Sequence, residues 1–262
     1  MPTFLGKTFN TYFKNLLGLN QTSNTGVDAT TRVVHDGAGQ STSISLSDDV
    51  LSVQPVTDNT TGTFLVNNQS GSNILAVDTT NSKVLVGASR VAANTQYAYF
   101  GINSTEAASY AADYHYMIPF AGKAQAGNVT LGTGTNPDTS LTVSSTSDDI
   151  IDVLWFIPDN ITVDAVYWWN GASGADGDTT RAHLCAFDIE KGTDSTAGDL
   201  SNGVVVADGA DITNEGREQA YYQSMTVQSA DIDGGKVGVF TFRQDGINSN
   251  HSISATIKYH IR

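Results

Sequence analysis

The chain has 262 residues, of which 15% are charged, and its 13 Lys and Arg against 27 Asp and Glu give a net charge of −14. A protein that binds nucleic acid or an anionic membrane needs a basic surface, so this composition argues against nucleic acids and anionic membranes as partners. Cys185 is the single cysteine, which excludes an intrachain disulfide and a cysteine-rich zinc site. The sequence contains no apolar run approaching about 18 residues, so no membrane span is predicted.

The N-terminal segment is predicted to contain a short amphipathic helix. In KTFNTYFKNLLGL, large apolar side chains recur at the spacing of one helix face, namely Phe9, Tyr12, Phe13, Leu16 and Leu17. A helix of about three turns is marginal alone in water, so this face must pack on its own domain or anchor the chain in a partner. Both interpretations are open. Residues 20–40 are polar and rich in turn formers, which predicts a linker or extended arm.

From residue 41 onward, short apolar runs recur at roughly ten-residue spacing. The runs STSISLS, VLSVQPV, TFLVNN, NILAVDT and KVLVG are each typical of a short strand between turns. Region 41–94 is too short to build a core of its own, but the same strands from several chains wound around an axis would bury both strand faces. We therefore predict a repetitive β shaft that is an obligate oligomer.

The segment LAVDTTNSKVLVG, residues 75–87, combines an aliphatic pair, an Asp, a polar turn, a Lys and a final Val-x-Val-Gly pattern. It resembles a recurrent element of tailed-bacteriophage fibre and decoration proteins. The resemblance implies a virion structural protein with an N-terminal anchor, a repetitive shaft and a β-rich head. Its expected partners are its own copies, as a homotrimer, and another capsid or tail protein bound by the N-terminal segment. The absence of long heptads favours a decoration protein or short fibre over a long tail fibre.

Residues 95–262 contain about nine strand-like runs separated by Gly, Asp, Asn and Ser turns, which predicts a jelly-roll-like β-sandwich. In one of them, ITVDAVYWW, apolar side chains recur at every second residue, which predicts an antiparallel strand with one face exposed to solvent. The residues expected to share one face of this strand are Ile161, Val163, Ala165, Tyr167 and Trp169. If that face is inward, Val163→Ala should cost about 1–3 kcal/mol of stability.

The sequence lacks the common signatures of catalytic and metal-binding sites. The sequence has no G-x-S-x-G, H-E-x-x-H, P-loop or Rossmann pattern, and its five histidines lie far apart along the chain. The pairs Asp149 with Asp152 and Asp188 with Glu190 could serve sugar cleavage, but such proximity is expected by chance among 27 acidic residues. The turns GADGDTT and SADIDGG lack EF-hand spacing and are typical of hairpins. We expect no enzyme activity, no cofactor and no metal.

Aromatic residues concentrate in YWWNG and AYYQ, which offer Trp168, Trp169, Tyr221 and Tyr222 as candidate interface or glycan-contact residues. Because neighbours in a strand point to opposite faces, one tryptophan is expected in the core. The other is then exposed or lies at a subunit interface, where Trp and Tyr are enriched.

The predicted architecture is mainly β and has three parts. Residues 1–40 form an N-terminal anchor, as a short helix or arm, residues 41–94 the shaft, and residues 95–262 the jelly-roll-like sandwich head. The predicted function is that of a non-enzymatic component of a tailed-phage virion, either a capsid decoration protein or a short head or tail fibre. The alternative is a glycan-binding adhesin that contacts the host surface.

Overall fold

The computed structural model describes residues 14, 16–21, 26–87, 91–102, 112, 114–121, 130–133, 148–173, 177–193, 195–215, 219–246 and 250–262. Within these residues the chain is almost entirely β-structure, and its one helical element is a 3₁₀ helix, Asp148–Val153. No described helix is long and apolar enough to cross a membrane. The mainly β fold predicted from the sequence is confirmed. The chain divides into two compact units, the first ending at Ala93 and the second beginning at Asn94.

The first unit contains two four-stranded antiparallel sheets. One sheet consists of β1 (Leu17–Leu19), β2 (Arg32–Asp36), β3 (Ser41–Leu46) and β4 (Leu51–Val53). The other consists of β5 (Phe64–Asn67), β6 (Asn73–Asp78), β7 (Lys83–Val86) and β8 (Val91–Ala92). In both sheets each strand pairs with the next along the chain, so both are meanders of short hairpins.

Strands β1 and β2 lie where the sequence predicted a helix and a linker. Leu17 begins β1 and pairs with Asp36 of β2, so the predicted helix is wrong at its C-terminal end. Gly18 weakens a helix at this point, and the adjacent valines Val33 and Val34 favour a strand for β2 to offer as a partner. The other aromatic residues of the predicted helix face, Phe9, Tyr12 and Phe13, lie outside the described residues.

The second unit is a sandwich of two antiparallel sheets. The eight-stranded sheet contains β10 (Tyr114–Ile118), β11 (Thr130–Thr133), β12 (Trp155–Phe156), β14 (Thr179–Ile189), β15 (Leu200–Asp208), β16 (Ile212–Thr213), β18 (Thr226–Val227) and β20 (Val237–Gln244). The five-stranded sheet contains β9 (Thr95–Ile102), β13 (Ile161–Ser173), β17 (Gln219–Ser224), β19 (Asp231–Ile232) and β21 (Asn250–Ile261). The main strand orders are β11-β10-β20-β14-β15-β18 and β17-β13-β21-β9.

The main hydrophobic core lies between these two sheets. Trp168 of the five-stranded sheet meets Phe242 of the eight-stranded sheet with ring centroids 6.1 Å apart. Phe100 and Phe240 make a second contact between the sheets at 5.8 Å. All four side chains are at most 2% exposed. Because aromatic side chains contribute most of the area that a core removes from water, these contacts hold the two sheets face to face.

A second buried cluster covers the outer face of the eight-stranded sheet. Strand β20 is buried along its whole length, and its residues Val237 and Val239 pack with Cys185 and Phe187 of β14 on this outer face. Ile150 of the 3₁₀ helix belongs to the same cluster. Since both faces of β20 are buried, its sequence VGVFTFRQ is apolar on both faces over most of its length.

A β-bulge in β13 changes which residues of this strand face the core. The register between β13 and β21 shifts between Val163 and Ala165, so Asp164 is the extra residue. Val163 faces inward before the bulge, and Trp168 faces inward after it. The predicted common face was therefore wrong beyond Val163, because one inserted residue moves every later side chain to the opposite face. The residues that face outward instead are Ala165, Tyr167 and Trp169.

Candidate functional site

The outer face of the five-stranded sheet carries three neighbouring aromatic rings. Tyr222 of β17 stacks on Tyr167 of β13, with centroids 6.2 Å apart and an angle of 15°. Its ring also lies 5.0 Å from that of Trp169, its direct partner across the strands. Trp169 and Tyr222 are each 52% exposed. Large rings are costly to leave wet, so their clustering marks this face as a contact surface.

Two further tyrosines stand on the other side of the same face. Tyr97 and Tyr99 of the end strand β9 are 51% and 54% exposed. Strand β21 runs between β9 and β13, and its outward residues here are Ser252, Ser254 and Thr256. One intervening strand separates the backbones of β9 and β13 by about 9.5 Å. The face therefore has two aromatic sides and a floor of hydroxyl groups. We call it the aromatic trough, and its rings belong to Tyr97, Tyr99, Tyr167, Trp169 and Tyr222.

The structure separates the four aromatic residues predicted from YWWNG and AYYQ. Trp168 is fully buried, and its Nε1 donates a hydrogen bond to Gln223 Oε1 at 3.2 Å, so it is not available to a partner. Tyr221 is half-buried and its hydroxyl is hydrogen-bonded within the chain. Trp169 and Tyr222 both lie in the aromatic trough.

Tyr97 and Tyr99 are not among the contact residues predicted from the sequence. Their signal was present in TQYAYFGI, where the two tyrosines alternate with Ala98 and Phe100. Ala98 and Phe100 are 3% and 2% exposed and belong to the core, as expected for a strand with one wet face. Only the pairing of β9 with β21 shows that these tyrosines share a surface with Trp169.

The sheet β5–β8 exposes apolar side chains on both of its faces. Phe64, Leu65 and Val66 follow one another in β5 and point alternately to the two faces, yet they are 41%, 45% and 39% exposed. Val84 on one face and Ile74 on the other are 43% and 53% exposed. A sheet in a compact monomer normally buries at least one face. This sheet is therefore a candidate surface for self-association.

Comparisons with protein families and with curated proteins found no match to this chain. The function therefore has to be inferred from how the chain's own residues are arranged.

The segment LAVDTTNSKVLVG folds as the hairpin of β6 and β7. The buried Asp78 accepts hydrogen bonds from the backbone N–H of Asn81 at 3.0 Å and from its Nδ2 at 2.8 Å. Ser82 has a positive φ of 55°, and Gly87, at the end of the hairpin, has a φ of 71°. The polar residues of this pattern thus shape the turn, and Asp78 fixes the register in which it pairs with Lys83.

The predicted anchor residues are only partly within the described chain. Leu16 and Leu17 are 45% and 68% exposed, so neither is covered by the rest of the chain. Phe9, Tyr12 and Phe13 lie outside the described residues. The exposure of two adjacent leucines leaves an apolar surface at the start of β1.

A buried charged cluster lies on the outer face of the eight-stranded sheet. Arg181 donates to both carboxylate oxygens of Asp208 at 2.9 and 2.8 Å, and His183 Nε2 lies 2.9 Å from the same carboxylate. Burial, together with the neighbouring charges of His115, Arg181 and Arg243, lowers the pKa of His183 to about 3. His183 is fully buried, whereas the side chains of Arg181 and Asp208 are 16% and 20% exposed.

A second buried polar network lies within the main core. His251 places Nδ1 2.9 Å from Asn170 Oδ1 and Nε2 2.5 Å from Gln244 Oε1. Asn170 Nδ2 donates to Thr180 Oγ1 at 3.2 Å, which orients the Asn170 oxygen to accept from Nδ1–H. Burial lowers the pKa of His251 to about 4, so the ring is neutral at pH 7 and carries a hydrogen on only one of its two nitrogens.

Three of the acidic residues in the pairs and turns noted in the sequence form ion pairs within the chain. Asp188 forms an ion pair with Lys236, and this hydrogen bond is the main cause that lowers the pKa of the Asp188 carboxyl. Arg262 contacts Asp231 at 3.2 Å and Asp233 at 3.1 Å. Within the described part of the chain, no group of three or more His, Cys, Asp or Glu residues is placed to hold a metal ion.

Proposed function

We propose that the chain is a non-enzymatic structural component of a tailed-phage virion, either a capsid decoration protein or a short head or tail fibre. Its first unit assembles copies of the chain into a homotrimer, and its second unit is the β-sandwich head. The observation that carries this proposal is the set of exposed apolar side chains on both faces of the sheet β5–β8. The resemblance of residues 75–87 to fibre and decoration elements supports the virion setting.

The exposed apolar side chains are enough to favour assembly. One face of the sheet carries Phe64, Val66, Val84 and Val86, and the other carries Leu65 and Ile74. All six are 39–53% exposed. Covering the remaining area of such a side chain contributes about 1 kcal/mol. Several kcal/mol per chain are therefore available to offset the entropy lost on association.

Exposed apolar side chains on both faces of the sheet β5–β8 favour a ring of chains over a dimer. An isologous dimer joins the same patch of two chains and would cover only one face of this sheet. A heterologous contact, in which one face meets the opposite face of the next chain, covers both faces and closes into a ring. A trimer is the smallest ring of this kind, which agrees with the homotrimer expected from the resemblance.

The N-terminal segment is proposed to attach this assembly to another virion protein. Leu16 and Leu17 supply exposed apolar surface in the described part of this segment. Phe9, Tyr12 and Phe13, on the preceding residues, add aromatic side chains that are expensive to leave wet.

Native mass spectrometry of the full chain tests the assembly. We expect a trimer for the wild type and monomers for both Val84→Asp and Ile74→Asp, because each contact of the ring uses both faces. The matched control is Val204→Asp in the second unit, where Val204 is 46% exposed and the trimer should persist. A monomeric wild type, or dissociation by only one of the two first-unit substitutions, contradicts the proposed ring.

Mass spectrometry of purified particles tests the virion setting separately. The chain should be present in the particles, and the double substitution Phe9→Ala, Phe13→Ala should abolish its incorporation without changing the stoichiometry of the free protein. Purified particles that lack the wild-type chain would refute the virion role, and full incorporation of the double variant would refute the anchor.

A further inference from the structure

The two central cross-strand rows of the aromatic trough are uncharged, although the protein is strongly acidic. The net charge of the chain is −14, yet none of the residues in its central cross-strand rows is charged. Lys258, paired with Ala165 and Tyr97, is the first charged side chain met at one end of these rows. The members of the central rows are Ser224, Tyr167, Thr256 and Tyr99 in one row and Tyr222, Trp169, Ser254 and Gly101 in the next.

The cross-strand register places hydroxyl groups between rings. Thr256 of β21 pairs with Tyr167 on one side and with Tyr99 on the other. In the next row Ser254 pairs with Trp169 and with Gly101, which has no side chain and leaves the trough open at that side. Residues directly opposite in such rows share a face of the sheet. A ligand in the trough would therefore meet rings at its sides and hydroxyl groups beneath it.

We propose that the aromatic trough binds an uncharged oligosaccharide. A sugar ring presents C–H groups on its faces, which suit the apolar faces of Trp169, Tyr222 and Tyr99, and hydroxyl groups at its edges, which suit Ser254 and Thr256. Tyrosine and tryptophan offer an apolar body with a polar tip, so they serve both kinds of contact. The aromatic trough lies in the second unit, whereas the sheet proposed for self-association, β5–β8, lies in the first. Ligand binding in the trough would be a function in addition to the proposed structural role.

The charge pattern selects this class of ligand. An acidic glycan or a phosphate-bearing ligand would need several basic side chains to hold its charge, and among the described residues of these strands Lys258 is the one basic residue in the row next to the central two. A basic ligand would need acidic groups, and the two central rows contain none. An uncharged, hydroxyl-rich ligand brings no charge that the two central rows would have to neutralise.

The composition of the trough also distinguishes a sugar from a second copy of the chain. The six exposed apolar side chains that we assign to self-association in the first unit are Phe, Leu, Ile and Val. The two central rows of the trough contain no Leu, Ile, Val or Met, and consist of aromatic and hydroxyl residues with one glycine. Protein interfaces draw much of their stability from a fully buried apolar centre, which a floor of serine and threonine does not provide.

Binding is tested with the full-length chain against two panels of oligosaccharides. The uncharged panel contains oligomers of glucose, mannose, galactose and N-acetylglucosamine, and the charged panel contains sialylated, uronic-acid and sulfated oligomers. We expect binding to at least one uncharged oligomer, with an affinity that does not change with salt because no ion pairs form. Tryptophan fluorescence gives a direct readout, because Trp169 is 52% exposed whereas Trp155 and Trp168 are 6% and 0% exposed.

The variants locate the site. Trp169→Ala and Tyr99→Ala should each weaken binding by at least about tenfold, which corresponds to 1.4 kcal/mol, and Trp169→Phe should retain most of the affinity. Tyr114→Ala removes a tyrosine that is 40% exposed on the other sheet and should leave binding unchanged. Each variant is compared with the wild type by thermal melting to confirm that it is folded.

Several results would overturn the assignment. These are binding of charged oligomers only, no binding in the uncharged panel, and affinity that both Trp169→Ala and Tyr99→Ala leave intact. A change of oligomeric state in Trp169→Ala would assign the trough to a second copy instead. Val84→Asp separates this proposal from that of self-association, because a dissociated chain should still bind each oligosaccharide with the same intrinsic affinity.

Discussion

Two buried histidines, His183 and His251, are expected to make the second unit sensitive to mild acid. Burial is the first cause that lowers the pKa of His251 to about 4 and that of His183 to about 3, whereas an ordinary histidine titrates near 6.5. Between these values the unfolded chain binds protons that the folded chain does not, so stability falls as the pH falls. The contribution of each histidine is complete above pH 6.5 and is lost on going down toward its folded pKa.

The magnitude follows from the same shifts. At pH 5 each imidazole is almost fully protonated in the unfolded chain and mostly neutral in the folded chain, which costs about 2 kcal/mol per histidine relative to pH 8. The two together should lower the free energy of unfolding by about 4 kcal/mol. Typical domains have only about 5–15 kcal/mol of stability, so the effect is large enough to measure by denaturant unfolding.

Urea unfolding at pH 8 and at pH 5, followed by tryptophan fluorescence, isolates this effect. All three tryptophans lie in the second unit, and Trp168 lies beside Phe242, which in turn contacts His251. His251→Gln is expected to remove about half of the difference between the two pH values, even if it lowers stability at both. His35→Gln, in the first unit, is the control and should leave the whole difference in place.

A pH difference in His251→Gln equal to that of the wild type would refute the role of this histidine. A wild type equally stable at pH 8 and pH 5 would refute the reasoning for both.

Four substitutions test the packing and the turn described above. Phe242→Ala should cost about 3–5 kcal/mol of stability by urea unfolding, because it removes a fully buried ring. Phe156→Ala, whose ring is 52% exposed, should cost less than about 1 kcal/mol. Gly238→Ala should destabilise the second unit by about 1–3 kcal/mol, because the added Cβ would lie 2.7 Å from the Trp155 ring. Asp78→Ala removes two hydrogen bonds of the turn and should weaken the protection of the β6–β7 amides against hydrogen exchange by about 1–2 kcal/mol.

Local patterns were sufficient to predict the mainly β fold. Short apolar runs bounded by turn residues identified most strands, including β6, β7 and β20. The same rule failed at β1, where a helical spacing of large side chains was stronger than any strand signal in Leu17–Leu19. Leu17–Leu19 is a strand because it pairs with β2. The local sequence of Leu17–Leu19 carries no information about this distant pairing partner.

The aromatic trough and the buried polar clusters depend on contacts that are distant along the chain. Tyr99, Trp169 and Tyr222 become neighbours only through the order β17-β13-β21-β9. The bulge at Asp164 decides which of the two adjacent tryptophans is outside, and no alternation rule predicts a single inserted residue. In the same way, His115 and His183 are far apart in sequence but bring their rings within 5.2 Å.

The position of Cys185 gives the molecule a chemical reporter at one defined place. It is the only cysteine of the chain, and it is fully buried with Phe187 and Val239 on the outer face of the eight-stranded sheet. A thiol must reach solvent as thiolate before it can be alkylated. The rate at which an alkylating reagent labels the native protein therefore measures how often this cluster opens, and mass spectrometry would record each such event as one added label.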